Sequence, residues 1–293
     1  MDRRLENILV CPDCGSGLVF HGQRDERTLR SGELLCSSCG CSYEVVDEVP
    51  RIVLPGTSMD GAAWEGGDTP WGKVRTWLVE SFLRGFTGLR LWMWTNNPTL
   101  MAGPMKSHAF SRFLEMVQGI NGVVLDLASG PGGSFCIPIM MDGRTDHLLV
   151  MSDLGKPVMT AWRRALRRRG WGDRCSNMVF DARKIPLSDR SVDAITSLLG
   201  FSSIHHNDAA YREAERVLAP GGLLVDVVRF HHPGQGQGPG LGQAASSRGR
   251  HEEYLQGLGL NVESSETLTT KSAARKDSDL LWKDIVYYAR KPK

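Results

Sequence analysis

The chain has 293 residues, 41% of them hydrophobic and 23% charged, with a formal net charge of +2; these proportions suit a soluble globular protein with room for one sizeable α/β domain and one small module. An isoelectric point near 8.2 lies below the strongly basic range of a domain that neutralises many phosphates, so nucleic acid is a permitted but disfavoured partner. No apolar run approaches the ~20 residues of a bilayer span, and Met1 to Glu6 is charged with no apolar segment behind it, so a cytoplasmic protein with no membrane partner is expected.

Five of the seven cysteines, Cys11, Cys14, Cys36, Cys39 and Cys41, fall within the first 41 residues. The runs Ile8-Leu-Val-Cys-Pro-Asp-Cys-Gly and Leu34-Leu-Cys-Ser-Ser-Cys-Gly each read as a short apolar strand, a CxxC turn and a glycine exit. Two such turns about twenty residues apart come close to zinc-ribbon spacing. They predict metal ligation rather than disulfides, with Cys11, Cys14, Cys36 and Cys39 giving four thiolates to a structural Zn²⁺ whose filled tetrahedron leaves no open catalytic position. Cys41 sits beside the second turn and is the alternative to Cys39. The stretch from Cys41 to Leu54 alternates apolar and polar residues, breaks at an acidic turn and resumes as an apolar run, a β-hairpin pattern. In these motifs, CPxC, then CxxCGxxY, then the acidic turn, residues 1–55 resemble the Trm112-type zinc domain. That resemblance implies a module found as a free activator of methyltransferases or fused ahead of them.

From Gly56 to Gln118 a glycine-rich start (Gly56, Gly61, Gly66, Gly67) gives way to dense tryptophan, namely Trp64, Trp71, Trp77, Trp92 and Trp94. Apolar residues at helical spacing predict one helix over Lys73 to Phe86 and a second over His108 to Val117. Aromatic stripes of this kind pack the module against the main domain, or else Trp92, Met93, Trp94 and Met101 wall an apolar substrate.

Next comes Val123-Val-Leu-Asp-Leu-Ala-Ser-Gly-Pro-Gly-Gly, a buried strand ending in Asp126 and a loop of small residues opening a helix. Such a loop lets its backbone approach a ligand closely, and the helix N-terminus presents N–H groups to a carboxylate. Alone it is compatible with a dinucleotide; the order of the strand ends beyond it is more specific. A second strand ends in Asp153-Leu154, where a carboxylate accepts hydrogen bonds from both hydroxyls of a ribose. A third ends in Asp181-Ala182, beside which an adenine edge can be read. A fourth runs through Leu198, the helix Ala209 to Leu218 comes next, and Ala219-Pro-Gly-Gly turns into a fifth strand, Leu223 to Val228. Alternating strands and helices predict a doubly wound, Rossmann-like α/β sheet.

With the order DxAxGxG, D, DAxxxP, FDxI-like strand and REAxRVLxPGG-like turn, residues 120–230 resemble the class I S-adenosylmethionine (SAM) dependent methyltransferases, particularly those acting on small molecules. The resemblance implies a seven-stranded sheet over residues 119–293, behind a helical linker or cap at 56–118. It also implies SAM as methyl donor, with Asp126, Ala128, Ser129, Gly130 and Gly132 around its methionine part, Asp153 at the ribose, Asp181 with Ala182 at the adenine, and Leu154 and Leu198 among the cofactor-binding residues. Ala128 stands where the family carries the first loop glycine.

After the fourth strand, Gly200-Phe-Ser-Ser-Ile-His-His-Asn brings His205 and His206 toward the donor end of the pocket. A histidine there deprotonates an acceptor hydroxyl or amine; orientation and desolvation without a base are the alternative. Arg163, Arg164, Arg167, Arg168 and Arg169 are expected on a solvated helix face. The run His231-His-Pro-Gly-Gln-Gly-Gln-Gly-Pro-Gly-Leu-Gly-Gln reads as a lid or an unstructured insertion, and a helix from Arg250 and strands from Asn261 and Leu281 complete the terminal hairpin. The expected activity is methyl transfer from SAM to an oxygen, nitrogen or carbon of a small, partly apolar metabolite, with an RNA methyltransferase and a partner-docked SAM domain as alternatives.

Overall fold

The computed structural model describes residues 1–57, 70–97, 108–133, 135–141, 147–231, 247–268 and 282–293. The glycine-rich insertion at 233–242, together with Trp64 and Met101, lies outside them.

The N-terminal module opens on a 3₁₀ turn, Arg3–Ile8, whose first turn is capped by the Asp2 carboxylate accepting from the Arg4 N–H at 2.8 Å. Strands β1 (Leu18–Arg24), β2 (Leu29–Cys36), β3 (Ser42–Val46) and β4 (Val49–Ile52) come after it, each antiparallel to the one before. Alternation carries this small sheet: Leu18, Phe20, Leu34, Tyr43 and Val45 are buried while their neighbours face outward. Asp47 and Glu48 form the β3–β4 turn, both left-handed at φ 50° and 69°, the geometry a two-residue hairpin needs.

The larger domain places helix α1 (Pro70–Asn96) and α2 (His108–Gln118) ahead of its sheet. Its chain order is then β5 (Val123–Asp126), α3 (Cys136–Met141), β6 (Leu148–Asp153), α4 (Lys156–Arg169), β7 (Ser176–Phe180), β8 (Val192–Leu198), α5 (Asn207–Val217), β9 (Leu218–His231), α6 (Arg248–Gly257), β10 (Asn261–Leu268) and β11 (Trp282–Arg290). The seven strands lie in the order β7-β6-β5-β8-β9-β11-β10, parallel except for β11, which is antiparallel to both neighbours. Strand β5 lies between β6 and β8, so the connections diverge on either side of it. A ligand crevice opens at the carboxyl ends of such strands.

The predicted modules are not merely adjacent. Strand β4 also pairs in parallel with β7, matching Arg51 to Val179 and Ile52 to Phe180, which joins the small sheet to the edge of the large one. Backbone bonds from Val10 N–H to the Pro186 carbonyl (3.1 Å) and from Ser188 N–H to the Ile8 carbonyl (2.8 Å) add to the seam. Its polar centre is Glu48, buried and in contact with Arg163 of α4, with Arg30 at 3.3 Å and Arg167 at 3.6 Å. Arg163 therefore departs from the solvated face expected of it, while Arg164, Arg167, Arg168 and Arg169 remain exposed.

Helix α1 runs on to Asn96, nearly three turns beyond the end at Phe86 that the amphipathic pattern suggested. Leu83, Thr87, Leu91 and Trp94 form its buried face. The inside of α4, with Val158, Met159, Trp162 and Leu166 buried, belongs to the same core layer.

Candidate active site

Strand β5 delivers Asp126 into the interior, where the Thr196 hydroxyl of β8 donates to its carboxylate at 2.5 Å and the Ser152 hydroxyl donates to its carbonyl at 2.8 Å. Burial pushes the Asp126 carboxyl up to about 6, against the opposing pull of the Ser129 and Thr196 hydrogen bonds. The loop then turns through left-handed Ala128 (φ 51°) and Gly130 (φ 57°). An alanine at such an angle is uncommon, because the methyl crowds its own backbone.

Asp153, at the end of β6, reaches across to this loop. Its two carboxylate oxygens accept from the Gly130 N–H at 3.0 Å and the Gly155 N–H at 2.8 Å. A carboxylate oxygen carries two lone pairs, the chemistry that suits a ribose hydroxyl. At the end of β7, Asp181 is gripped by Arg183, whose backbone N–H and guanidinium donate to it at 2.7–3.0 Å. Any adenine amino group reaching Asp181 shares that carboxylate with Arg183.

These strand ends enclose one cavity of ≈ 410 Å³. Asp126, Ala128, Ser129, Gly130, Gly132, Asp153, Leu154, Asp181, Ala182 and Leu198, the residues expected around the donor, all line it. His205 lines it as well, beside Phe135, Leu199, Gly200 and Ile204. His206 does not. It is exposed and starts α5 with left-handed backbone. Gly200 is a close-approach position: a Cβ there would lie 2.7 Å from the Leu127 carbonyl oxygen and 2.9 Å from the Ala128 methyl. The aromatic middle segment contributes no wall among its described residues, since Trp92 faces outward and Trp94 is buried in the core.

Two supports were not legible in the sequence. The Trp162 indole N–H donates to the Gly130 carbonyl at 2.9 Å, holding the loop from beneath. Arg90 of α1 donates to the Gly132 carbonyl at 3.1 Å from the other side. A tryptophan inside an arginine-rich helix was the available signal for the first, since a buried indole N–H needs a partner. Nothing in the local pattern marks Arg90.

In the small module the Cys11, Cys14, Cys36 and Cys39 sulfurs all lie within 4.8 Å of one another, with Cys11–Cys39 at 3.6 Å and Cys14–Cys36 at 3.5 Å. Such edges fit a tetrahedron with Zn–S bonds of about 2.3 Å. Cys41 groups instead with Asp13 and Cys39. The Cys14 thiol is drawn down to about 6 by the Ser16 backbone N–H and hydroxyl, which favours the ligating thiolate.

A seven-stranded sheet of this order with carboxylates at successive strand ends defines a class I methyltransferase domain. The family described as a methyltransferase domain matches residues 125–226, and the family described as Trm112p-like protein matches residues 2–48. The chain therefore carries a class I SAM-dependent methyltransferase domain behind a Trm112p-like module. It is 33% identical over 110 residues to the ubiquinone/menaquinone biosynthesis C-methyltransferase UbiE of Pseudomonas putida, covering 38% of this chain and 42% of that protein. The UbiE of Pseudomonas aeruginosa is 31% identical over 136 residues, covering 46% of this chain and 52% of its own length. The chain thus spans about half the length, or less, of these relatives. Among solved structures, geranyl diphosphate C-methyltransferase from Streptomyces coelicolor is similar with a TM-score of 0.49 and 17% identity, over 62% of this chain and 78% of that one.

Proposed function

We propose that the chain is an enzyme that moves the methyl group of SAM to a small, partly apolar acceptor, with its Trm112p-like module held together by a structural zinc ion. The observation that carries this reading is the convergence of Asp126, Asp153 and Asp181 from three successive strand ends on one cavity whose other wall is Phe135, Leu199 and Ile204. Small residues of the loop, Ala128, Ser129, Gly130 and Gly132, line the cavity and let a bound nucleoside approach the backbone closely. When bound, SAM supplies an electrophilic methyl group on a sulfonium.

In this reading Asp153 accepts from the ribose hydroxyls, and Ala182 with Asp181 borders the adenine. Leu154 and Leu198 flank the nucleoside, and the Ala128 to Gly132 loop holds the methionine part. Phe135, Leu199 and Ile204 exclude water and orient the acceptor for in-line attack. His205 takes the acceptor's proton; His206, facing solvent, is given no part in it. The C-methyltransferase names of the relatives favour a carbon acceptor made nucleophilic by an electron-releasing ring.

The test incubates the protein with methyl-labelled SAM and a panel of hydroxylated aromatic and prenylated small molecules, with bulk RNA as a separate arm. Label is expected in a small molecule, and label in RNA alone would overturn the acceptor class. Asp153→Ala is expected to weaken binding of S-adenosylhomocysteine by at least about tenfold while leaving zinc content unchanged. Unaltered binding would remove Asp153 from the donor site.

A further inference from the structure

Helix α1 is apolar on two opposite faces. Leu83, Thr87, Leu91 and Trp94 point inward, while Val74, Leu78, Phe82, Leu89 and Trp92 form an exposed stripe on the far side, with Trp77 beside it. At ~1.5 Å per residue the stripe runs for ~27 Å. Trp77 and Phe82 are each 61% exposed. Single exposed apolar residues need no explanation, but an aligned row on one helix marks an interaction surface.

The stripe borders a groove between α1 and α4, with Trp92 on its rim. Four arginines, Arg84, Arg164, Arg168 and Arg169, line that groove, and no carboxylate does. Among the described residues Arg84 bonds within its own helix, to the Glu80 carbonyl and the Ser81 hydroxyl, and Arg169 lies over the Trp171 ring at 5.8 Å. Arg164 and Arg168 make no hydrogen bond or ion pair with other described residues and extend into solvent.

We propose that this face is a peripheral docking surface for an anionic lipid bilayer, with the α1 stripe entering the headgroup and acyl boundary and the α4 arginines pairing with lipid phosphates. Charge complementarity and apolar exposure together select this occupant. Anionic headgroups satisfy the arginines, and the acyl boundary beneath them buries the adjoining row of Val74, Leu78 and Leu89. A nucleic acid would use the arginines but offers those aliphatic side chains nothing. No described helix is long and apolar enough to cross a membrane, so the contact is one of lying on the surface. The absence of a span, which led to the expectation of no membrane partner, does not bear on it.

The proposal stands independently of methyl transfer and is tested without it. The full chain is sedimented with vesicles of phosphatidylcholine alone and with vesicles containing about one third phosphatidylglycerol, while tryptophan emission is followed. Expected results are binding to the anionic vesicles at least about tenfold tighter than to neutral ones, a blue shift of emission, and release by high salt. Arg164→Glu/Arg168→Glu should lower anionic-vesicle binding by at least about tenfold. Phe82→Ser/Leu89→Ser should abolish the blue shift. In both variants the circular dichroism spectrum should be unchanged. The proposal is overturned by equal binding to both vesicle types, or by binding to RNA without binding to vesicles. Concentration-dependent dimerisation lost in Phe82→Ser/Leu89→Ser would assign the stripe to a second copy, and tryptophans already shielded from acrylamide without lipid would assign it to a segment of this chain; either overturns the proposal.

Discussion

The cysteine cluster is local, four thiols from two turns of one small sheet, whereas the cavity at the strand ends takes its walls from strands β5, β6, β7 and β8 and from the segment after them. As the proposed zinc site the first arrangement would be all or none, because losing one sulfur would open the coordination shell. In the second each contact has a neighbour that shares its task, as Gly130 is held both by Asp153 and by Trp162. A cluster of local ligands writes itself into sequence as spacing. A distributed cavity writes itself only as an order of strand ends.

The largest effect is expected from removing thiols of the cluster. Cys14→Ser/Cys36→Ser is expected to abolish zinc binding and unfold the module, since structural zinc contributes on the order of 10 kcal/mol to small domains of this kind. Zinc content together with proteolysis of the first 48 residues measures this. A metal-free module that stays protease-resistant would show that its core of Leu18, Phe20, Leu34 and Val45 suffices alone.

The seam between the two regions comes next in size. Glu48→Ala leaves Arg163 buried without its partner, which should cost about 3–5 kcal/mol. Adding Arg163→Met removes the orphaned charge and should restore most of the loss. Thermal melts of the single and double variants decide; a double variant no more stable than the single would mean that Arg163 is solvated without Glu48.

That seam also marks where sequence ran out. The Asp126, Asp153 and Asp181 strand ends were legible because each closes an apolar run of strand length, and the cysteines because CxxC spacing is rarely incidental. The β3–β4 hairpin was legible from its alternation and acidic turn. The parallel pairing of β4 with β7 was not, because four residues at a sheet edge carry no signal naming a partner more than a hundred positions away. Nor was the Arg183 grip on Asp181, nor the Trp162 and Arg90 bonds to the glycine loop: these depend on rotamers fixed by packing. His205 and His206 looked equivalent as adjacent residues, and the left-handed start of α5 separates them, turning only the first into the cavity.

Asp126 offers a smaller and pH-resolved test of the distributed site. Its carboxyl rises on folding from the ordinary 3.8 to about 6, so between those values the folded state holds a proton that the unfolded state has released. The Asp126 contribution to stability is therefore expected to fall as pH rises from about 4 to about 6 and to level off above, by ~3 kcal/mol in total. Asp126→Asn removes that fall. The variant should match the parent near pH 4 and exceed it by about 2–3 kcal/mol at pH 8, while keeping an acceptor for the Thr196 hydroxyl. Melting curves of both proteins across that range are the measurement; a difference between parent and variant that does not change from pH 4 to 7 would mean Asp126 stays ionised.

The least effect is expected where the chain departs from the glycine that similar loops carry. Ala128 at φ 51° bears a left-handed cost of about 1–2 kcal/mol, which Ala128→Gly removes, while the added freedom of the unfolded chain returns about 0.4–1 kcal/mol. The net is a gain of roughly 0.5–1 kcal/mol in stability, read as a rise in melting temperature. Affinity for S-adenosylhomocysteine should change little, because the loop's hydrogen bonds run through Ser129 and Gly130 rather than through the methyl group. Gly200→Ala should do the reverse and damage binding. Combining it with Ala128→Gly should not rescue it: the Leu127 carbonyl oxygen, 2.7 Å from the new Cβ, remains after the Ala128 methyl is gone. Rescue by the double substitution would instead show that the two side chains compete for one space and that Ala128 was retained to fill it.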